Sequence, residues 1–226
     1  DYYGEAPAAT TPDLLLDAQG KFDSAKGMSM KGVAIPGTVI GLWEAHRRYG
    51  KLKWGTLIAP AVALAKKGVP LSDDEAEAHA DQKKLMGDDP AAMAIFFRPD
   101  GSPMQPGDMF RQTDLGWTLT QIAKKGPDGF YKGPVADRLV AGMKAGGGII
   151  THQDLANYRP IVTAPIWSSY RGNRIAYMPP TASGVTVAEA MNILEQFPIK
   201  QMQWGSAENI HTLAEAVKIA SSDRRF

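Results

Sequence analysis

Ile161-Val162-Thr163-Ala164-Pro165-Ile166-Trp167-Ser168-Ser169-Tyr170, Arg171-Gly172-Asn173 and Arg174-Ile175-Ala176-Tyr177-Met178 follow one another and carry the clearest β signal in the chain. Two β-rich runs, Ile161–Tyr170 and Arg174–Met178, flank Gly172-Asn173, a pair that favours a hairpin turn. Pro179-Pro180 ends the second run, because proline has no N–H to donate to a ladder. An isolated two-stranded hairpin is marginal in water. This one is therefore expected to pair with strands supplied from elsewhere.

Outward from the hairpin the pattern is helical. Two amphipathic helices follow it, and in the last of them Ile210, Leu213, Ala214, Val217 and Ala220 form one apolar stripe. Upstream, helices are predicted at Thr113–Lys125, Pro134–Ala145 and Thr151–Asn157. In the last of these Thr151 is the cap, and Asp154 takes the reciprocal capping-box position where Glu or Gln is usual. Ile95-Phe96-Phe97 reads as a short strand turned by Pro99-Asp100-Gly101. Ser72, followed by Asp73, Asp74 and Glu75, starts a helix that should reach Met86. A helix over Thr56–Lys67 carries Lys66-Lys67 in its last turn. Another begins at Pro36-Gly37-Thr38, with Val39, Leu42, Trp43 and His46 on one face and Tyr49-Gly50 as its stop. Before Lys31 the chain reads as extended segment plus turn, with Leu14-Leu15-Leu16 as a buried-strand candidate. The sum is a helix-rich α+β chain.

Composition removes several kinds of function. Lys+Arg 25 against Asp+Glu 24 leaves a net charge of +1 over 226 residues, so nothing draws the chain generally to nucleic acid or an anionic membrane. Without cysteine there is no disulfide framework, thiol nucleophile or Cys-based zinc site. No apolar run reaches membrane-spanning length. None of His46, His79, His152 and His211 has a second histidine three or four residues away, and packing or solvation accounts for each. No metal is expected. Gly146-Gly147-Gly148 follows a helix and precedes Ile149-Ile150, the reverse of the order a phosphate loop needs, so it terminates a helix and no cofactor is expected. Ser183-Gly184 stands in a distinctive context after Pro179-Pro180 but lacks the nucleophile-elbow pattern. The residues taken singly assemble no catalytic constellation.

Several ordered stretches together resemble the γ-glutamyltranspeptidase family. Val33-Ala34-Ile35-Pro36-Gly37-Thr38-Val39-Ile40-Gly41-Leu42 is similar to its V-x-V-P-G-T-V-x-G segment. Gly107-Asp108 with Leu115 and Leu119 comes next, then Gly126-Pro127-Asp128-Gly129-Phe130-Tyr131-Lys132-Gly133. Gly147-Gly148-Ile149-Ile150-Thr151-His152-Gln153-Asp154-Leu155-Ala156-Asn157-Tyr158 matches G-G-x-I-T-x-x-D-L-x-x-Y. Tyr170-Arg171-Gly172, Met178-Pro179-Pro180-Thr181-Ala182-Ser183-Gly184 and Ala214-Glu215-Ala216 through Asp223-Arg224 complete the series.

The resemblance implies the helix-rich large-subunit part of an N-terminal-nucleophile hydrolase, an αββα sandwich shared by two subunits cut from one precursor. Residues 1–226 would form a single partial domain, without the subunit's N-terminal strands and C-terminal tail. The catalytic residue is then absent from this chain. It is a threonine heading the small catalytic subunit, which attacks a γ-glutamyl amide to form an acyl-enzyme resolved by water or an amine. Alone, the chain would be inactive. The implied partners are that small subunit and a small-molecule γ-glutamyl or acyl amide, and the implied location is periplasmic or secreted.

One substrate-binding position falls within the chain. The family pattern D-[FY]-R-E-x-A-P, whose arginine grips the substrate α-carboxylate, aligns with Asp1-Tyr2-Tyr3-Gly4-Glu5-Ala6-Pro7 and puts Tyr3 at the arginine. A tyrosine offers one neutral donor where arginine offers a charged bidentate pair. Two alternatives follow: a cephalosporin or glutaryl-type acylase of the same fold, and a non-catalytic scaffold.

Overall fold

The computed structural model describes residues 5–87, 89–180 and 182–224. Tyr3 lies outside them. The chain separates into two compact units, Asp1–Pro160 and Ile161–Phe226.

The first unit is mostly helical. It contains α1 (Ser24–Gly27), α2 (Thr38–Tyr49), α3 (Trp54–Lys67), α4 (Asp73–Asp81), α5 (Lys83–Met86) and α6 (Pro90–Phe96). These are followed by α7 (Thr113–Lys125), α8 (Asp128–Tyr131), α9 (Gly133–Ala145) and α10 (His152–Asn157). Two short strands, β1 (Val69–Pro70) and β2 (Met109–Phe110), pair antiparallel. Buried Ile35, Tyr131, Ala136, Met143, Ile150, Leu155 and Tyr158 form the core between the Val33–Pro36 segment and α8, α9 and α10. On another side α3 packs against α7, where the Trp54 indole donates to the Ile122 carbonyl at 3.0 Å. Trp54 also meets Trp43 edge-on with ring centroids 5.2 Å apart.

The helix ends obey local rules. Ser72 and Glu75 form a complete capping box at the start of α4. Thr113–Lys125 and the end of α9 at Ala145 agree with the sequence reading. Three expectations in this unit fail. The helix started at Ser72 stops at Asp81, and a separate α5 covers Lys83–Met86. Ile95-Phe96-Phe97 is no strand: Asp89 caps an N-terminus by accepting from the Ala92 N–H, Pro90 occupies the first turn, and α6 runs through Phe96. The cap and proline set the helix direction before the β-prone residues are reached. Leu14-Leu15-Leu16 is a turn closed by a Leu16–Phe22 bridge, all three leucines only half-buried. Asp23 then caps α1 and Ser29 caps a 3₁₀ turn over Met30–Gly32, both absent from the sequence reading.

In α9, Gly142 is exposed, and a methyl group there would meet nothing within 4 Å. Gly142→Ala is expected to stabilise the chain by about 0.5–1 kcal/mol, since glycine loses more backbone entropy in a helix. The check is the thermal midpoint, which should rise.

The second unit is an antiparallel hairpin, β3 (Ile166–Tyr170) with β4 (Asn173–Tyr177), packed against α11 (Gly184–Glu195), which in turn packs on α12 (Ala207–Asp223). The hairpin stands where expected, but β3 begins at Ile166 rather than Ile161, and the turn is Arg171-Gly172, with Asn173 already in β4. Both turn residues have positive φ, 48° at Arg171 and 79° at Gly172, as a two-residue primed turn requires. The left-handed arginine is pinned from α11's end: its N–H donates to Glu195 Oε1 at 2.6 Å and its Nη2 to the Phe197 carbonyl at 2.9 Å. On α12, Asn209, Ala216 and Ala220 are the buried positions, while Ile210 and Val217 of the predicted stripe are 58% and 53% exposed. Small residues let α12 approach α11 closely and turn the bulkier apolar face outward. Among the described residues no helix is long and apolar enough to cross a membrane.

Candidate functional site

Three stretches far apart in sequence meet in the first unit: Glu5–Ala8, Ile35–Ile40 and the run from Tyr131 to Tyr158. Ile35 is buried, and its N–H donates to the Glu5 carbonyl at 2.8 Å, giving an antiparallel bridge. Beyond Glu5 the chain turns over Pro7–Thr10: the Thr10 N–H donates to the Pro7 carbonyl at 2.9 Å. The Ala8 N–H, inside that turn, donates to Asp154 Oδ1 at 2.9 Å across 146 residues of sequence.

Asp154 explains why aspartate occupies this capping box. Its Oδ2 accepts from the Thr151 N–H at 2.8 Å and from the Thr151 hydroxyl at 2.6 Å, while the Thr151 Oγ1 accepts from the Asp154 N–H at 3.2 Å. That completes the cap of α10 and leaves Oδ1 for Ala8. Asp154 is 7% exposed. Burial alone would push its carboxyl up, but the bonds from the Thr151 hydroxyl, the Ala8 N–H and the Thr151 N–H outweigh it and hold the group below its ordinary range. It stays an anion with both oxygens occupied.

The opposite wall is aromatic. The Tyr131 hydroxyl donates to the Pro36 carbonyl at 2.6 Å and accepts from the Ile40 N–H at 3.4 Å, tying α8 to the start of α2. Burial pushes its phenol up to about 12, so it remains a neutral donor. Tyr158 stacks on Tyr131 with centroids 6.0 Å apart and planes 17° apart. Burial also raises the Tyr158 phenol, and the Glu5 carboxylate adds to the rise. Gly37 makes room for this ring: a Cβ on it would lie 2.2 Å from the Tyr158 hydroxyl oxygen.

Other candidates resolve into structural roles. His46 Nε2 lies 2.8 Å from the Leu52 carbonyl and stacks beside Trp43. His79 sits between Phe96 and Phe110, at 5.3 and 5.0 Å. His152 pairs with Asp137 at the surface. Ser183 accepts a 2.6 Å hydrogen bond from Arg224 Nη1, a guanidinium and no base. Arg224 in turn lines a cleft of about 330 Å³ together with Glu189 and Asp223. The Glu189 carboxyl is raised because in its protonated form it donates to the Asp223 carboxylate, and burial adds to the rise. Among the described residues no group of three or more His, Cys, Asp and Glu is placed to hold a metal. Sequence reasoning missed the roles of Asp154, Tyr131 and Tyr158. Their signal was the juxtaposition of D-L-x-x-Y, G-F-Y-K-G and V-x-x-P-G-T, which only the fold brings into contact.

The arrangement defines a chain built to hold a segment in place; among its described residues no serine or threonine hydroxyl is held by a histidine. Comparison with known proteins carries this further. The profile of gamma-glutamyltranspeptidases matches residues 1–226. A glutathione hydrolase proenzyme of Pseudomonas sp. (strain A14) is 42% identical over 228 residues, covering 99% of this chain and 39% of that protein. An acylase ACY 1 proenzyme of Pseudomonas sp. (strain V22) is 37% identical over 232 residues, covering 99% of this chain and 41% of that protein. The crystal structure of Helicobacter pylori gamma-glutamyltranspeptidase superposes with a TM-score of 0.91 at 35% identity, over 100% of this chain and 65% of that one. The chain belongs to the gamma-glutamyltranspeptidase family, a family of enzymes, and has that fold. It spans about two-fifths of the length of the curated relatives it matches.

Proposed function

We propose that this chain is the nucleophile-free part of an acyl-transfer enzyme that cleaves γ-glutamyl amides of the glutathione type. A threonine on a small catalytic subunit, cut from the same precursor, attacks the γ-carbonyl. The C–N bond breaks, the leaving amine takes a proton, and the acyl group stays on the threonine oxygen until water or an acceptor amine displaces it. The contribution of the present chain is to position the donor, through its N-terminal segment and Tyr3. One observation carries this reading: the stretches that match the family are the same ones that fold into a cradle around Glu5–Ala8. The partial domain would be completed by the small subunit, whose strands would cover the exposed hairpin residue Trp167. A periplasmic or secreted location goes with the family resemblance.

Tyr3 favours a second reading, an acylase of the same fold whose donor lacks the α-amino-acid head. Kinship with both a glutathione hydrolase and an acylase accommodates either. Expression of the complete reading frame tests the shared claim. Intact mass should show two chains, the smaller beginning with threonine, and the product should release aniline from a γ-glutamyl anilide. A single uncut chain without turnover would overturn it and leave the scaffold role.

A further inference from the structure

We infer that Asp154 is a positioning residue for donor binding, acting through its hydrogen bond to the Ala8 N–H. This rests on the reading that position 3 touches the donor. Between Glu5 and Thr10 the described chain is tethered over long range by the Glu5–Ile35 bridge and by Ala8 to Asp154. Position 3 is two residues from the first and five from the second. The second tether is the more specific. It ends on a carboxylate that is 7% exposed, and that carboxylate is itself locked by the Thr151 cap of α10. A helix start needs only Oδ2 here; Oδ1 is committed to the N-terminal segment. The segment is thus fastened to the buried side of α10, whose Leu155 is 1% exposed in the core. Loosening it would displace a donor-contacting side chain without touching the nucleophile, and small misplacements of this kind weaken productive binding strongly.

Geometry supplies a variant that separates tether from cap. Ala8 is the second residue of the turn Pro7-Ala8-Ala9-Thr10, closed by Thr10 N–H to Pro7 carbonyl at 2.9 Å. Proline is favoured there, and it has no N–H. Ala8→Pro keeps the turn and breaks the tether, both by deleting the donor and by setting its ring Cδ against Asp154 Oδ1. Thr151→Ala weakens the cap and keeps that donor.

In the full-length, matured protein, Ala8→Pro is expected to raise KM for a γ-glutamyl anilide about tenfold with kcat within about twofold, whereas Thr151→Ala, which loosens the Asp154 carboxylate but keeps the tether, lowers the thermal midpoint and raises KM less than Ala8→Pro does. Tyr3→Phe, run in parallel, distinguishes the two levels of the argument. If Tyr3→Phe shifts KM and Ala8→Pro does not, the positioning role is wrong and the donor-contact reading stands. If neither shifts KM, both are wrong. Hydrogen exchange on the unaltered protein covers the case in which Ala8→Pro fails to mature. The Ala8 amide should exchange as slowly as the amides of α10, and exchange at the rate of an open loop overturns the proposal.

Discussion

Gly184→Ala is expected to lower the stability of the chain by about 3 kcal/mol or more, because the added methyl has nowhere to go. A Cβ at this position would lie 1.9 Å from the Met178 carbonyl oxygen and 2.9 Å from its carbonyl carbon. Both are backbone atoms, so no side-chain rotation relieves the clash. Relief requires the chain after β4 to separate from the first turn of α11, and α11 carries buried Ala188, Ala190 and Leu194. Unpacking these removes what the β3–β4 hairpin rests on. For a chain of this size the loss should lower the thermal midpoint by on the order of 10 °C. A variant melting within about 2 °C of the parent would contradict the close approach. The contrast with Gly142→Ala, where the same methyl meets open space and stability should rise, makes the pair a test of local geometry rather than of glycine content.

Tyr3→Arg in the full-length protein is expected to raise kcat/KM for a γ-glutamyl anilide by about ten- to a hundredfold. A hydrogen bond to a charged group contributes about 1.5–3 kcal/mol, and every 1.4 kcal/mol or so is a factor of ten. Arginine would supply a bidentate, permanently charged clamp for the α-carboxylate, where tyrosine supplies one neutral O–H. The control is a 4-aminobutanoyl anilide, which lacks the carboxylate and should be used equally by both proteins. A gain on both donors, or on neither, would show that position 3 does not read the carboxylate.

The helices were legible because their signals are local. Ser72 with Glu75, and Thr151 with Asp154, announce helix starts within four residues, and the structure realises both as complete capping boxes. The hairpin was legible in place and in its stop at Pro179-Pro180. Its turn was not, because the residue that takes the left-handed conformation is Arg171, held there by Glu195 and the Phe197 carbonyl, 24 and 26 residues away. Local propensity sees Gly172-Asn173; tertiary anchors select Arg171-Gly172. Ile95-Phe96-Phe97 misled for the opposite reason, since the deciding residues, Asp89 and Pro90, lie upstream of the apolar run. The last helix shows a third limit. Its apolar stripe was evident and Ala220 of that stripe is buried, but Ile210 and Val217 are exposed, and Ala216, outside the stripe, marks the face that packs, where small size decides.

The site divides in the same way. Family motifs point to the stretches around Ile35, Tyr131 and Asp154, but no spacing rule says that Asp154 holds Ala8 or that Tyr131 bridges Pro36 and Ile40. Those are contacts across 91 to 146 residues. What looked like a substandard capping residue is a carboxylate with two assignments.

The central claim, a γ-glutamyl donor held by the N-terminal segment and cleaved by a threonine from the partner subunit, is tested most directly by one comparison. The matured two-chain protein is assayed for kcat/KM on a γ-glutamyl anilide and on the corresponding glutaryl anilide, which differs by the α-amino group. The account predicts that the γ-glutamyl donor is used better; equal or better use of the glutaryl donor would contradict it and establish the acylase reading.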